Sequence, residues 1–243
     1  MIIVPWLVGV SLAGGANVLD AARVVLGPAW LVGYLAFNAA TLMTKAAPRR
    51  CRNYLRPVLV HSAVAATLGL LAIVLGGLSV LWWAVPGVVL VGVALLLTRR
   101  KRERSLLAGL VSIVAGTGVG VVARFWSPAQ LSGASAEEVC VLLVTMAYFA
   151  GTLLVVKTMI RERGSRAWLV ASVGYHAALL AGVGAVVGLG WLGWPWLVVA
   201  ALCLARAMAE PRLAGRVSPL QIGLVEVVLS VLLLVAALVN PWV

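Results

Sequence analysis

Acidic residues are scarce in this chain: Asp and Glu together number 7 in 243 residues, against 19 Lys and Arg. Charge of either sign makes up 11%, well under the roughly 25% of a soluble domain, so a water-facing surface of ordinary composition is excluded. Cysteine is equally sparse. Cys51, Cys140 and Cys203 stand far apart and match no metal or CxxC spacing, which argues against a disulfide framework and against a zinc site. Lysine is confined to Lys45, Lys101 and Lys157, the other bases being arginine. With so much Ala, Gly, Val and Leu, that bias fits a GC-rich bacterial genome.

Hydrophobic residues fill the space that charge leaves, at 63% of the chain and a mean hydropathy of +1.11. Apolar runs of about 20 residues, the length that crosses a hydrocarbon core of about 30 Å as a helix, recur from end to end and leave no room for a soluble domain. Segmenting at charge clusters and at Gly, Pro and Trp turns predicts nine helices near 1–16, 26–44, 57–76, 80–98, 106–124, 139–158, 167–187, 190–208 and 219–240. The expected fold class is an all-α polytopic membrane protein, one integral domain over 1–243.

Basic residues test that count, because they collect on the cytoplasmic side of a membrane protein. Lys45, Arg49, Arg50, Arg52 and Arg56 follow the second predicted helix, and Arg99, Arg100, Lys101, Arg102 and Arg104 follow the fourth. Lys157, Arg161, Arg163 and Arg166 follow the sixth, and Arg206, Arg212 and Arg216 the eighth. Seventeen of the nineteen bases thus share a face, and only Arg23 and Arg124 fall opposite, with Asp20, Glu137 and Glu138. The expected location is the bacterial plasma membrane, N-terminus in the cytoplasm and C-terminus outside. Tryptophan points the same way: Trp30, Trp82, Trp83, Trp126, Trp191, Trp194, Trp196 and Trp242 map to the outer interface, where amphipathic rings anchor. A net charge of +12 spread over four short loops reads as orientation signal and contact with anionic lipid headgroups, not as a nucleic-acid surface.

The first predicted segment, MIIVPWLVGVSLAGGA, is about 24 Å long as a helix, short of a full span, which leaves room for missing sequence upstream. A signal peptide ending in SLAGGA is the competing reading, although no positive n-region precedes it.

Polar groups inside membrane helices are costly, so each asks for a partner or a purpose. Tyr34, Asn38, Thr41 and Lys45 form a stripe on one face of the second predicted helix. Ser172, Tyr175 and His176 cluster on the seventh, with His176 about 14 Å from its start, and Glu226 lies about 10 Å into the ninth. His61 sits early in the third. These residues suit one cytoplasm-facing cavity lined by Tyr34, Asn38, His61, Ser172 and Tyr175. Lys157, Arg161, Arg163 and Arg166 would form a cationic mouth for an anion such as a phosphorylated headgroup. The competing reading is structural: buried Glu and His pair with each other or with arginine simply to satisfy burial, and Ser, Thr and Asn join helices.

GTLLVVKTMIRERGSR at 151–166 followed by SVGYHAA at 172–178, with VPWLVGV at 4–10, VGYLAFNAATL at 32–42, LRPVLV at 55–60 and RRKRERSLLAGL at 99–110, resembles the YwiC-like family of bacterial membrane proteins over nearly the whole chain. The family pattern begins with a histidine-bearing HGAWAM-type segment ahead of the VPWLVG region, and this sequence starts at Met1 without it. The resemblance implies a misplaced start codon or a variant lacking that histidine, and it brings no activity with it. In architecture alone the chain is similar to UbiA-type prenyltransferases, whose nine helices, cytoplasmic N-terminus and active loops after helices two and six correspond to the basic loops here. That likeness implies a UbiA-like bundle. Prenyl transfer of that kind uses aspartates to hold Mg²⁺ against a diphosphate, and these loops contain none.

Three function classes remain. A metal-independent enzyme acting on a phosphorylated or isoprenoid lipid would use His176 or Glu226 as acid or base, with no cofactor expected. A proton-coupled transporter would use the same two residues as a relay, although the outer half of the bundle is poor in polar groups and no internal repeat is visible. A non-catalytic subunit or assembly factor needs only packing surfaces, for which Gly116, Gly118 and Gly120 suffice.

Overall fold

In a computed structural model describing residues 2–14, 20–213 and 218–240, the chain is helical throughout, with no strand among the described residues. Among them nine α-helices follow the expected order: α1 (Ile3–Leu12), α2 (Ala21–Lys45), α3 (Pro48–Gly76), α4 (Ala84–Arg99), α5 (Leu106–Arg124), α6 (Ala136–Val156), α7 (Arg166–Gly188), α8 (Pro195–Ala209) and α9 (Pro219–Leu238). Arg216 and Trp242 lie outside the described residues.

Among the described residues, seven segments are long and apolar enough to cross a membrane: Ala21–Lys45, Arg49–Gly76, Leu78–Arg99, Leu106–Arg124, Ala136–Arg161, Arg166–Gly188 and Leu220–Leu238. The protein is an all-α polytopic membrane protein. Of the nine expected spans, the first and eighth fall short of the rest, since α1 has 10 residues and α8 has 15, about 15 Å and 22 Å of rise.

Helix starts follow from side chains that accept otherwise unpaired backbone N–H groups. Asp20 accepts from Ala22 N at 2.8 Å, and Ser105 accepts from Ala108 N at 3.1 Å. Ser135 with Glu138 and Ser218 with Gln221 form reciprocal capping boxes. The third helix begins at Pro48, where a proline at the first helical position forfeits no hydrogen bond, rather than at 57. Cys51 Sγ lies 3.6 Å from both Met43 O and Ala46 O and fastens this turn to the end of α2. Arg49, Arg50, Arg52 and Arg56 therefore ride exposed on helix, not in a loop.

The helices gather into two compact units, Met1–Gly133 and Ala134–Val243. In the first, α2 packs along α3 and α1 lies on α5. The α1–α5 approach needs Gly9, because a Cβ there would fall 2.1 Å from the carbonyl oxygen of Gly120. Arg23 donates from Nε to Ala123 O at 2.7 Å and pairs with Asp20 at 2.6 Å, so the start of α2 meets the end of α5. Lys45 reaches Glu103 at 3.3 Å and joins the opposite end of α2 to the loop after α4. Within this unit the sparse and the dense charge clusters thus occupy opposite helix ends, as the alternation of helices requires.

The second unit pairs α7 with α8, α6 with α7 and α8 with α9. α6 runs on into a π-helical turn, Lys157–Arg161, closed by Glu162 N donating to Lys157 O at 2.8 Å across five residues. Val155 and Met159 pack there against Ala207 and Ile222. At the other end Gly193 N donates to Asn240 Oδ1 at 2.7 Å. Two tryptophans expected at the outer interface are interior instead: Trp126 is 6% exposed in the first unit's core and Trp196 is 1% exposed in the second. Trp82 and Trp194 are exposed, as an interfacial role requires.

Candidate functional site

The polar residues of the second unit converge on Glu226. Its Oε1 is ion-paired with Arg206 Nη1, and its Oε2 accepts from Thr152 Oγ1 at 3.1 Å. Tyr148, buried on α6, sets its hydroxyl 3.2 Å from Ser230 Oγ and 3.5 Å from the backbone oxygen of Glu226. Helices α6, α8 and α9 thus all contribute to the surroundings of one carboxylate. The charge pattern groups Arg206 with the bases that follow the eighth helix, although the expected bounds, 190–208, include it; on α8 its side chain is interior, 4% exposed. A guanidinium so deep needs an anion, and Glu226 provides it.

His176 is also interior but pairs elsewhere. Its Nδ1 lies 2.7 Å from the Ser172 carbonyl one turn earlier; a carbonyl only accepts, so Nδ1 carries the hydrogen. Nε2 faces Gly151 of α6, where an added Cβ would sit 2.7 Å away. Tyr175 stacks edge-on against the imidazole at 5.6 Å and donates its hydroxyl to Ala147 O at 2.8 Å. Ser172 is fully buried, with its Oγ unpartnered.

Lys157 and Arg161, the two ends of the π turn, differ in exposure, Lys157 being buried and Arg161 exposed. Lys157 is 6% exposed with Nζ 4.5 Å from the Trp168 ring centre, a cation–π contact that turns the ammonium inward. Arg161, Arg163 and Arg166 are exposed. Glu210, at the end of α8, is half-buried with Oε2 unpartnered. Burial pushes its carboxyl above the ordinary value; Arg206 pulls it down and Glu226 raises it again.

Tyr34, Asn38 and His61 belong to the first unit, and Ser172 and Tyr175 to the second, so neither unit holds the expected lining set by itself. Tyr34 borders a different feature, a cavity of about 900 Å³ lined from α2, α3, α4 and α5 by residues such as Trp30, Phe37, Ala65, Leu90 and Val111, and by Trp83 just before α4. Gly69, Gly87 and Gly118 open onto unfilled space there. Asn38 is exposed, and His61 Nδ1 is buried without a partner. Among the described residues no group of three or more His, Cys, Asp or Glu side chains converges as a metal site would.

Sequence reasoning missed Arg206, Thr152, Tyr148, Ser230 and Glu210. One signal was available for the first: a glutamate two turns into an apolar helix needs a cation, and Arg206 precedes the end of its own apolar run by only a few residues.

Residues 1–124, just over half of the chain, match the YwiC-like protein family. The chain belongs to that family. It is also similar to the protein titled "Uncharacterized protein YwiC" of Bacillus subtilis (strain 168), with 28% identity over 191 residues, 79% of this chain and 75% of that protein. The family match lies within the first unit, which bears the apolar cavity, while a match of 191 residues has to reach into the second. No solved structure matches the chain.

Proposed function

We propose that this YwiC-like protein resides in the bacterial plasma membrane, N-terminus in the cytoplasm and C-terminus outside, and holds a lipid-soluble ligand with a long hydrocarbon chain of the isoprenoid class in the first unit. The cavity of about 900 Å³ carries this reading, because its size falls in the range of ligand pockets and its lining is almost wholly apolar. Ser112, one of its few polar residues, already donates its hydroxyl to Ala108 O at 2.9 Å. Water would find few partners there, whereas each buried methylene of a hydrocarbon gains about 0.8 kcal/mol. The wall includes alanines and glycines as well as Trp, Phe and Leu, a mixture of sizes that suits methyl branches. Exposed arginines on α3 at the end shared with Lys45 favour an anionic, phosphorylated head. Arg161, Arg163 and Arg166 of the second unit serve as contacts to anionic headgroups.

Mass spectrometry of lipids carried through purification tests this directly. One polyprenyl species should accompany the wild type and disappear from Gly69→Leu, Gly87→Leu and Gly118→Leu, whose new side chains enter open space. Identical lipid content in wild type and filled variants would end the proposal. A second reading, proton-coupled transport, draws on the Arg206–Glu226 pair at membrane depth. It predicts gradient-driven flux in proteoliposomes that stops with Glu226→Gln.

A further inference from the structure

The second unit contains an unmet set of hydrogen-bonding groups that owes nothing to the cavity of the first. Arg206 is 6% exposed and uses only Nη1 on Glu226; Nε and Nη2 are buried without a partner. Those two nitrogens form the side-on edge of the guanidinium, the edge that takes a carboxylate or phosphate through two parallel N–H···O bonds. Glu210 follows one helical turn later, its Oε2 also buried and unpartnered. Glu226, by contrast, is engaged at both oxygens. Two donors and one acceptor thus lie within one turn of α8 with nothing to meet them.

The missing group must accept twice and donate once. A carboxylate satisfies the guanidinium edge but brings no proton for Glu210, and a cation is repelled by Arg206. A monoprotonated phosphate or phosphate monoester does both: two oxygens accept from Nε and Nη2, and its P–OH donates to Glu210 Oε2. We propose that the Nε/Nη2 edge of Arg206, with Glu210, is a binding site for a phosphate-class oxyanion, either free phosphate or the monoester head of a lipid.

Charge at the site allows this. Glu226 is neutralised by Arg206, and the proton that the P–OH shares with Glu210 offsets the repulsion between them. The Lys157–Arg161 turn packs against the Glu210–Leu213 turn and brings a second buried cation to the same end of the unit. The C-terminal carbonyls of α8 oppose an anion, a smaller effect than two charge-assisted hydrogen bonds. The site stands on the second unit alone and survives failure of the isoprenoid reading.

The test uses the full chain in detergent with radiolabelled orthophosphate at equilibrium dialysis, and in nanodiscs containing either phosphatidic acid or phosphatidylcholine, read by native mass spectrometry. Saturable one-to-one binding of orthophosphate identifies a free-phosphate site, and selective retention of phosphatidic acid identifies a lipid monoester; either supports the proposal. Arg206→Lys keeps a cation opposite Glu226 but lacks the edge, and should weaken binding by about ten- to a hundredfold. Should Arg206→Lys not fold, the matched Arg206→Met/Glu226→Met pair removes the edge without leaving a charge unpaired, and should abolish binding. Arg124→Gln, at the end of α5 in the first unit, should leave it unchanged. Undiminished binding in either Arg206 variant, or no saturable binding of either probe to the wild type, overturns the proposal, the latter meaning that water alone occupies the edge.

Discussion

Arg206 of α8 and Glu226 of α9 form an ion pair in the interior of the second unit, and the glutamate's second oxygen is held by Thr152 of α6. Buried pairs behave asymmetrically, because removing one partner strands the other's charge. Arg206→Met or Glu226→Met alone should cost about 3–5 kcal/mol, while the double substitution should fall close to wild type. Unfolding of the four proteins in a double-mutant cycle measures it. Additive losses would show that the two side chains do not depend on each other.

His176 and Gly151 test a contact of shape. The imidazole occupies the place a side chain at 151 would need, with Nε2 2.7 Å from an ideal Cβ. Gly151→Ala should therefore destabilise by about 1–3 kcal/mol, and His176→Ala in the same protein should recover part of the loss by vacating the space. Absence of recovery in thermal unfolding would mean that the helices, not the imidazole, limit the approach.

Much of the fold is legible in the sequence because the bilayer imposes it. Apolar length and arginine clusters follow from insertion alone, and α5 matches its expected bounds, 106–124. What escapes depends on neighbours. Arg206 resembles every other juxtamembrane arginine until its side chain is seen buried against Glu226, and the orientation rule accounts for it without requiring a partner. The π turn at Lys157–Arg161 carries Met159, which packs against Ala207 and Ile222, a contact that no local period reveals. Trp126 and Trp196 have an interfacial composition but interior positions. Gly76 makes room for Trp126, since a Cβ there would come within 2.4 Å of the indole.

α1 offers a test of packing by small residues. It has 10 residues, and its backbone lies so near α5 that a Cβ on Gly9 would meet the backbone of Gly120 at 2.1 Å. Backbone cannot rotate aside as a side chain can, so Gly9→Ala should displace α1 and release the contact made by Trp6 Nε1 to Arg23 O, now 2.9 Å. A loss of at least about 2 kcal/mol is expected, together with a change in Trp6 fluorescence. A full-stability Gly9→Ala with unchanged emission would require a wider α1–α5 spacing.

Glu210 carries the pH dependence. Burial, the largest influence, raises its carboxyl above the ordinary 4.5 in the folded protein, while the unfolded chain keeps the ordinary value. Below that value both states hold the proton, and the group does not tilt the balance. As pH rises past it the unfolded state ionises first and is favoured, so stability falls until pH passes the raised folded value and then stays low. Glu210→Gln removes the ionisation at similar volume. The variant should unfold a few degrees above wild type at pH 7, with the difference closing at pH 4. Arg206 pulls the carboxyl the other way, so in an Arg206→Met background the gain from Glu210→Gln at pH 7 should be larger. Midpoints across pH 4–8 for the wild type, Glu210→Gln, Arg206→Met and the double variant measure both effects. A gap that is constant with pH would mean that hydrogen bonding, not ionisation, distinguishes Glu from Gln at this position.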